Sequence, residues 1–413
     1  MITSFNLLGL RRGRVVLWAV GLASLLAGAG HLALPARQME GAASALDQYR
    51  GELAAVRSAF GGVRDMPDVP FFLFGTGLRP KLIYRDGVLS TWPGGVPVKK
   101  WAAKQCLIVP PDYSVYLTTT SNTQVRVFET EDGIAIEENG VATWVEGSKV
   151  PVKLPSFSEF RYPRVMRVLH QEILVNVTFA GPAPNFLVYS KPWYRDGAMM
   201  AMCLRHTGNL DSIKAWVLGL NEVFDRNNAG ETEADNPGQA LFLISLISDK
   251  NHPLVPRILA EVERFVVRTN GIKYIKGRSD FADRPVYQTK WLKYGLRALG
   301  LPDDYTVPEL SDAYSALFWM DYRKAHVSGN DAYDTNKYPY LGWACDHFYG
   351  QRKGVISNRD YPLSWEQEAS QANYKGMRPL GEVFVNKRIS VPHTWHAAEM
   401  FLYLLDLKRK GLL

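Results

Sequence analysis

The longest apolar stretch of the 413-residue chain lies close to its N-terminus. Residues 15–34 contain no Asp, Glu, Lys or Arg, and a membrane-spanning helix needs about 20 such residues. Three arginines precede this stretch, and positively charged flanks stay in the cytoplasm. The pattern predicts that residues 1–37 are a cytoplasmic tip and a single-pass signal-anchor in the inner membrane, with the body on the periplasmic side. A cleaved signal peptide is the alternative.

Residues 38–65 carry a heptad pattern. Between Met39 and Phe60, apolar residues alternate at spacings of three and four, as they do along the seam of a coiled coil. The pattern predicts a helical stalk that forms a weak homodimer through residues 39–60. The same spacing fits a single amphipathic helix lying on the body of the protein, and both interpretations stay open.

Residues 66–191 have the pattern of short strands. Segments such as QVRVFET and EILVNVTF alternate apolar and polar residues, and Gly, Pro, Asn and Asp separate the segments. Turn signals recur about every ten residues, which is typical of an antiparallel sandwich. We therefore predict a β-rich, sandwich-like module over this range.

The pattern changes to a helical period in residues 192–413. Short loops between the first helices favour antiparallel hairpins, whereas the later polar stretches are long enough to be functional. The predicted fold class is therefore mainly α: an (α/α) hairpin toroid, complete or incomplete, preceded by the β-module and the membrane helix. The predicted helices are 196–207, 211–225, 237–249, 253–268, 286–299, 308–322, 337–350 and 393–409.

Composition and motifs exclude several classes of function. The net charge is +7, but Lys and Arg are scattered among acidic residues along the chain, so we expect no nucleic-acid partner. Glycine-rich phosphate loops and the HExxH motif are absent, so we expect no cofactor and no metal. The chain is rich in aromatic residues, with 11 Trp and 20 Tyr. Such residues suit a large core and also a site that stacks sugar rings.

The first candidate site lies where the β-module gives way to helices. Trp193, Arg195 and Asp196 stand together in the segment KPWYRDGAMM. An Arg–Asp pair can hold two sugar hydroxyls, because one side chain donates and the other accepts. The alternative is a structural ion pair in which Asp196 caps the helix.

The second candidate site is an acidic loop. Glu231, Glu233 and Asp235 lie within five residues, just before a helix that starts with Pro and Gly. Carboxylates this close repel one another, which raises the pKa of at least one of them, and a general acid needs a carboxyl that stays protonated near neutral pH. A solvated acidic loop at a helix N-terminus is the alternative.

The third candidate site lies in a long polar stretch near the C-terminus. Trp365 and Glu366 are adjacent there, and an acid beside Trp is more typical of a cleft than of a solvated surface. The last predicted helix begins with His393 and Trp395, for which we expect contact with substrate. Four residues of the stretch between these sites are further candidates for lining the same cleft: Asp334, Tyr338, Trp343 and Asp346.

Two carboxyl groups on opposite sides of an aromatic cleft are the arrangement used in glycoside hydrolysis. One acid protonates the leaving oxygen, and the other activates water or attacks carbon.

Three short segments carry a resemblance to a known family. The segment WYRDGAMM resembles the Trp-x-Arg-Asp-Ala-Ala segment of glucoamylase-like six-hairpin glycosidases, LSWEQ resembles their Ser-Glu-Gln segment, and HTWHAA is similar to their last helix. This resemblance implies that Arg195 and Asp196 hold the terminal sugar and that Glu366 is the base. Glu233 best matches the acid, with Glu231 and Asp235 open. The resemblance also implies inversion.

These expectations combine into a membrane-anchored, exported glycoside hydrolase. Glu233 is its acid, Glu366 its base, and a polysaccharide or oligosaccharide its partner. The expected sugar contacts are Trp193, Arg195, Asp196, Asp235, Trp365, His393 and Trp395. The alternatives are a polysaccharide lyase on the same fold, whose proton abstraction would use Tyr or His, and a non-catalytic glycan-binding component of an exopolysaccharide system.

Overall fold

The computed structural model describes residues 26–60, 62–189, 191–227, 229–280, 282–310, 312, 355–369 and 372–411. The chain divides into two compact units, residues 1–41 and 42–413, and the division falls within the first helix. Apart from the N-terminal part of that helix, the elements described below belong to the second unit.

The described helices and strands are numbered in chain order. The helices α1 to α9 are Leu26–Phe60, Pro163–Val175, Tyr194–Thr207, Asp211–Leu218, Asn236–Ile247, Leu254–Val262, Pro285–Ala298, Glu382–Asn386 and Thr394–Arg409. The strands β1 to β10 are Gly62–Arg64, Phe71–Phe74, Lys81–Arg85, Val88–Trp92, Pro97–Lys100, Ala103–Val109, Ser114–Thr119, Gln124–Glu129, Ile134–Glu138 and Val141–Trp144. The strands β11 to β19 are Val177–Thr178, Gly181–Pro182, Val266–Thr269, Ile272–Ile275, Arg278–Ser279, Ala282–Asp283, Val355–Ser357, Glu366–Gln367 and Ile389–Ser390.

The predicted fold class is wrong. The structure is mixed, 38% helical and 22% strand with several small sheets, and its described helices form no clear toroid. A toroid needs consecutive helical hairpins, but the two hairpins β13–β14 and β15–β16 stand between α6 and α7. The predicted helix at 337–350 and most of the one at 308–322 lie outside the described residues.

The predicted membrane anchor is also contradicted. In the part of the chain that the structure describes, which begins at Leu26, no helix is long and apolar enough to cross a membrane. This finding contradicts the predicted single-pass location in the inner membrane. Residues 15–25 of the predicted anchor lie outside the described residues.

The predicted β-module over residues 66–191 is corrected: its two larger sheets end at Trp144, and helix α2 occupies Pro163–Val175. Strands β2 to β5 form a four-stranded antiparallel meander, and β6 to β10 form a five-stranded one. The segment EILVNVTF was expected to be a strand, but its first four residues end helix α2. Pro163 occupies the first turn of α2, where a missing N–H costs nothing.

The heptad face of α1 is buried. Its apolar positions from Ala42 to Val56 are 4% exposed or less, including Tyr49 and Leu53. The Tyr49 hydroxyl donates to the Asp360 carbonyl at 2.7 Å, and Arg57 donates to the Ser357 carbonyl at 2.9 Å. This half of α1 therefore packs along the chain that leads to Glu366. Homodimer formation through residues 39–60 stays a prediction.

Helices α5 and α7 approach each other closely through two glycines. A Cβ on Gly238 would lie 2.4 Å from the Trp291 carbonyl carbon, and one on Gly295 would lie 2.4 Å from the Gly238 carbonyl oxygen. Such distances exclude any side chain at either position. This packing determines where the N-terminus of α5, with Asp235 just before it, can lie.

We expect Gly238→Ala to lower the free energy of unfolding by about 1–3 kcal/mol, because the added methyl group must push two backbones apart. Gly51→Ala is the matched control. It sits in a helix with nothing within 4 Å of the new methyl group, so we expect a gain of about 0.5–1 kcal/mol. Chemical denaturation measures both changes, and equal effects of the two substitutions would contradict the close approach.

Candidate active site

Arg195 and Asp196 lie in the first turn of helix α3, and both side chains are buried. Trp193 precedes the helix in an extended conformation, and the first helical amide, that of Tyr194, donates to Asp225 Oδ2 at 2.5 Å. Successive residues on a helix point about 100° apart. As a result, Arg195 and Asp196 have different neighbours.

The Arg195 guanidinium binds three carboxylates. Its Nη2 donates to Glu233 Oε2 at 2.5 Å, its Nε to Asp235 Oδ2 at 2.9 Å and its Nη1 to Asp280 Oδ1 at 2.7 Å. The Arg195 side chain is only 7% exposed. Burial lowers its pKa, but the three carboxylates outweigh burial and raise this pKa well above its ordinary value. The guanidinium therefore stays charged and joins three segments of the chain.

Glu233 is buried within this cluster. Its Oε1 accepts hydrogen bonds from the Asp280 amide at 2.9 Å and from Asn227 Nδ2 at 3.3 Å. Burial raises the pKa of Glu233 to about 7, with Asp235 and Asp280 acting in the same direction and Arg195 against them. Its Oε2 accepts a hydrogen bond only from Arg195 among the described residues, which leaves a lone pair on that oxygen for a proton.

The other two acids of the predicted loop have different surroundings. Asp235 has no exposed surface, and both its oxygens are occupied: Oδ2 accepts from Arg195 and Gln239, and Oδ1 accepts from Ser279 at 2.6 Å. Glu231 lies at the surface beside Arg278. Of the three acids, Glu233 is the one that is both buried and poised to hold a proton.

Glu366 lies on strand β18, which pairs with β19. Its Oε2 accepts a hydrogen bond from the Tyr189 hydroxyl at 2.7 Å and is 3.1 Å from His393 Nε2. Its Oε1 makes no hydrogen bond with any described residue, and the side chain is 17% exposed. Burial lowers the pKa of His393, but Glu366 reverses this and leaves it above its ordinary value. One oxygen of Glu366 is thus anchored and the other is open.

A buried carboxylate on α2 holds the segment that carries Glu366. Glu172 accepts hydrogen bonds from the Leu363 amide at 2.6 Å, the Ser364 amide at 2.9 Å and the Ser364 hydroxyl. The Ser364 hydroxyl in turn accepts a hydrogen bond from the His393 amide at 3.0 Å. Glu172 and Ser364 therefore determine how Glu366 and His393 lie relative to each other.

Asp196 interacts electrostatically with residues of both groups. Its carboxyl makes no hydrogen bond with any described residue, although its Oδ1 is fully buried. It is therefore neither an N-cap nor part of the ion pairs of Arg195. Burial raises the pKa of Asp196 to about 7; His393 and Arg195 lower this pKa, whereas Glu366 raises it. Asp196 is thus electrostatically linked to Glu366 on one side and Arg195 on the other.

Three tryptophans expected to contact sugar have different positions. Trp193 packs its ring against that of Tyr189, with 5.2 Å between the ring centroids. Trp395 lies under the Arg195 guanidinium, 5.8 Å from its ring centroid. Trp365 is only 1% exposed and is covered by Arg64. Trp365 therefore belongs to the core beneath the site.

The structure brings together residues from all three predicted clusters. Asp334, Tyr338, Trp343 and Asp346 lie outside the described residues. Sequence reasoning missed three residues that contact the site: Tyr189, Asp280 and Glu172. Asp280 falls in a long polar stretch of the kind that is often functional, but no motif marks any of these three residues.

Comparisons of the chain with protein-family models, with curated proteins and with solved structures found no match. The resemblance to six-hairpin glycosidases therefore rests on the three short segments alone, and what it implies stays a prediction.

We expect Asp196→Asn to stabilise the protein above neutral pH. Because the pKa of Asp196 is raised from 3.8 to about 7, its favourable contribution exists below pH 4 and is lost as the pH rises through 7. The amide has no such dependence, so the variant gains about 2–4 kcal/mol over the wild type at pH 8.

Asp235→Asn is the control, because it breaks a buried ion pair and we expect it to cost about 3–5 kcal/mol. Urea denaturation at pH 5 and pH 8 measures both variants. A loss of stability in Asp196→Asn at pH 8 would contradict the placement of Asp196.

We expect Ser364→Ala to lower the pKa of His393, because His393 and Glu366 would no longer be held together. Ser390→Ala is the matched control: Ser390 is equally buried, pairs with Glu366 across the sheet, and its hydroxyl makes no hydrogen bond among the described residues. Titration of the histidine rings by NMR measures the effect. Equal shifts in both variants would rule out a special role for Ser364.

Proposed function

We propose that the protein hydrolyses glycosidic bonds, with Glu233 as the general acid and Glu366 as the general base. The observation that carries this proposal is a pair of carboxyls in different environments: Glu233 is bonded to Arg195, and Glu366 acts electrostatically on the adjacent Asp196. Glu233 is buried and its pKa is raised to about 7, so a large fraction holds a proton at neutral pH. Glu366 is partly exposed and anchored through one oxygen.

The surroundings of Glu366 suit the activation of water. Tyr189 and His393 both contact Oε2, so the carboxylate cannot rotate without losing both contacts. Oε1 is then the oxygen that accepts a proton from an attacking water molecule. A water molecule held between Oε1 and the sugar gives a single displacement with inversion of the anomeric centre.

The same contacts argue against a lyase. A lyase that used Tyr189 as its base would need the phenol to ionise readily, whereas burial and the Glu366 carboxylate raise the pKa of Tyr189 well above its ordinary value. Tyr189 donates its proton to Glu366 and is better suited to orienting that carboxylate.

The role of Asp196 in this proposal is to bind the sugar. A buried carboxyl with no hydrogen-bond partner among the described residues gains a hydrogen bond when a substrate donor arrives, and this gain offsets the cost of its burial. The Arg195 guanidinium is engaged by three carboxylates, so in this proposal it holds the acid and does not contact the sugar directly.

We expect Glu366→Gln and Glu233→Gln each to lower kcat by about 10²–10⁴-fold, because each removes a proton-transfer group and keeps the shape of the side chain. Glu368→Gln is the matched control, since it changes an exposed acid two residues from Glu366. New reducing ends from a panel of neutral, amino and acidic oligosaccharides measure hydrolysis, and ultraviolet absorbance detects unsaturated lyase products.

Turnover in either glutamine variant equal to that of the control would remove that glutamate from the mechanism. Binding of a glycan without turnover by the wild type would contradict hydrolysis and favour a glycan-binding component. Ultraviolet-absorbing products would contradict hydrolysis in favour of a lyase.

A further inference from the structure

Arg64 contacts both residues that flank Glu366. Its guanidinium carbon lies 5.1 Å from the centroid of the Trp365 ring, and its Nη2 donates a hydrogen bond to Gln367 Oε1. Successive side chains of an extended segment point to opposite faces, so residues 365 and 367 share the face that lies away from Glu366. Arg64 therefore holds this segment from the side opposite to the Glu366 carboxylate.

The other face of the segment carries the contacts of Glu366 itself. The Tyr189 hydroxyl and His393 Nε2 both contact Glu366 Oε2. Strand β18 is only two residues long, and among the described strands it pairs with β19 alone. Because so short a ladder is weak by itself, the side-chain contacts on its two faces determine where the carboxylate points.

The backbone fixes the position of Arg64. In the parallel pair of β1 with β17, Arg64 lies opposite Ser357, and its carbonyl oxygen accepts a hydrogen bond from the Asn358 amide at 2.9 Å. Two residues further on, the Met66 amide donates to Asn358 Oδ1 at 2.9 Å. Arg64 thus stands on a strand that is tied to the stretch of chain leading to Glu366.

We infer that Arg64 is a positioning residue for the general base Glu366. The inference rests on the proposed function and adds to its site a residue that is 303 positions from Gln367 in sequence. An arginine suits this role, because its planar guanidinium stacks on an aromatic face while its edge donates hydrogen bonds. A misplacement of about 1 Å can lower a rate by about 100-fold. Loss of these contacts should therefore lower kcat and leave sugar binding nearly unchanged.

Arg64→Met and Gln367→Met in the full chain test this inference, because each removes one end of the hydrogen bond and keeps a side chain of similar length. We expect each to lower kcat by about 10–100-fold and to change KM by less than about twofold. We also expect the pKa of His393, measured by NMR titration, to fall, because burial then outweighs a weakened contact with Glu366. The double variant should match Arg64→Met, since the two residues share one contact.

The direction of the change at His393 separates positioning from a simple change of charge. Removing a cation near an imidazole raises the pKa of that imidazole, whereas withdrawing Glu366 lowers it. Arg50→Met is the matched control, because it also removes a guanidinium from the N-terminal segment. Arg50 is 54% exposed and binds Asp360 at 2.8 Å, before the strand that carries Glu366. We expect this variant to keep the wild-type kcat and the wild-type pKa of His393.

The outcomes also separate this inference from the proposed function. An unchanged or raised pKa of His393 in Gln367→Met overturns the inference, and this variant carries the test should Arg64→Met fail to fold. Unchanged kcat in both variants also overturns it, as do equal effects of Arg50→Met and Arg64→Met. If the pKa falls in both variants while the wild type releases no reducing ends from any oligosaccharide, the hydrolase fails and the role of Arg64 in holding Glu366 stands.

Discussion

The site is organised around one buried guanidinium that is shared by three carboxylates. Arg195 binds Glu233, Asp235 and Asp280 from the start of helix α3. Without its charge, three buried or half-buried acids would face one another at short range, which is strongly unfavourable. Arg195 binds the cluster of acids, whereas the adjacent Asp196 interacts electrostatically with Glu366 and His393. The two halves of the site are thus joined by two consecutive residues of one helix.

The second half of the site, which carries Glu366 and His393, depends on a buried network of hydrogen bonds. Glu172 holds Ser364, and Ser364 holds the amide of His393. The chain that leads into this segment is in turn held by α1 and by β1, which pairs in parallel with β17. The N-terminal helix therefore positions the Glu366 segment through contacts about 300 residues apart in sequence. Removing α1 from residue 42 onward would remove a support of the site.

The local sequence predicted several residues that the structure brings together, but it did not predict their partners. The Trp-Tyr-Arg-Asp segment and the acidic loop both predicted residues that the structure brings together. The pairing of Arg195 with Glu233, and not with the adjacent Asp196, follows from the rotation of a helix and from the packing of α5 on α7. Asp280 and Glu172 reach the site through tertiary contacts alone, so no motif could mark them. The predicted toroid was wrong because two β-hairpins separate helix α6 from helix α7. The end of α2 was predicted as a strand because the segment EILV fits both the helical and the strand period.

The most direct measurement of the central claim is a crystal structure of the Glu366→Gln variant with a bound oligosaccharide that the wild type cleaves. The account predicts that the glycosidic oxygen lies within about 3.2 Å of a Glu233 oxygen. A water molecule should lie between residue 366 and the anomeric carbon, and a sugar hydroxyl should contact Asp196. An oligosaccharide bound away from the Arg195–Asp196 turn, or a scissile bond out of reach of Glu233, would contradict the account.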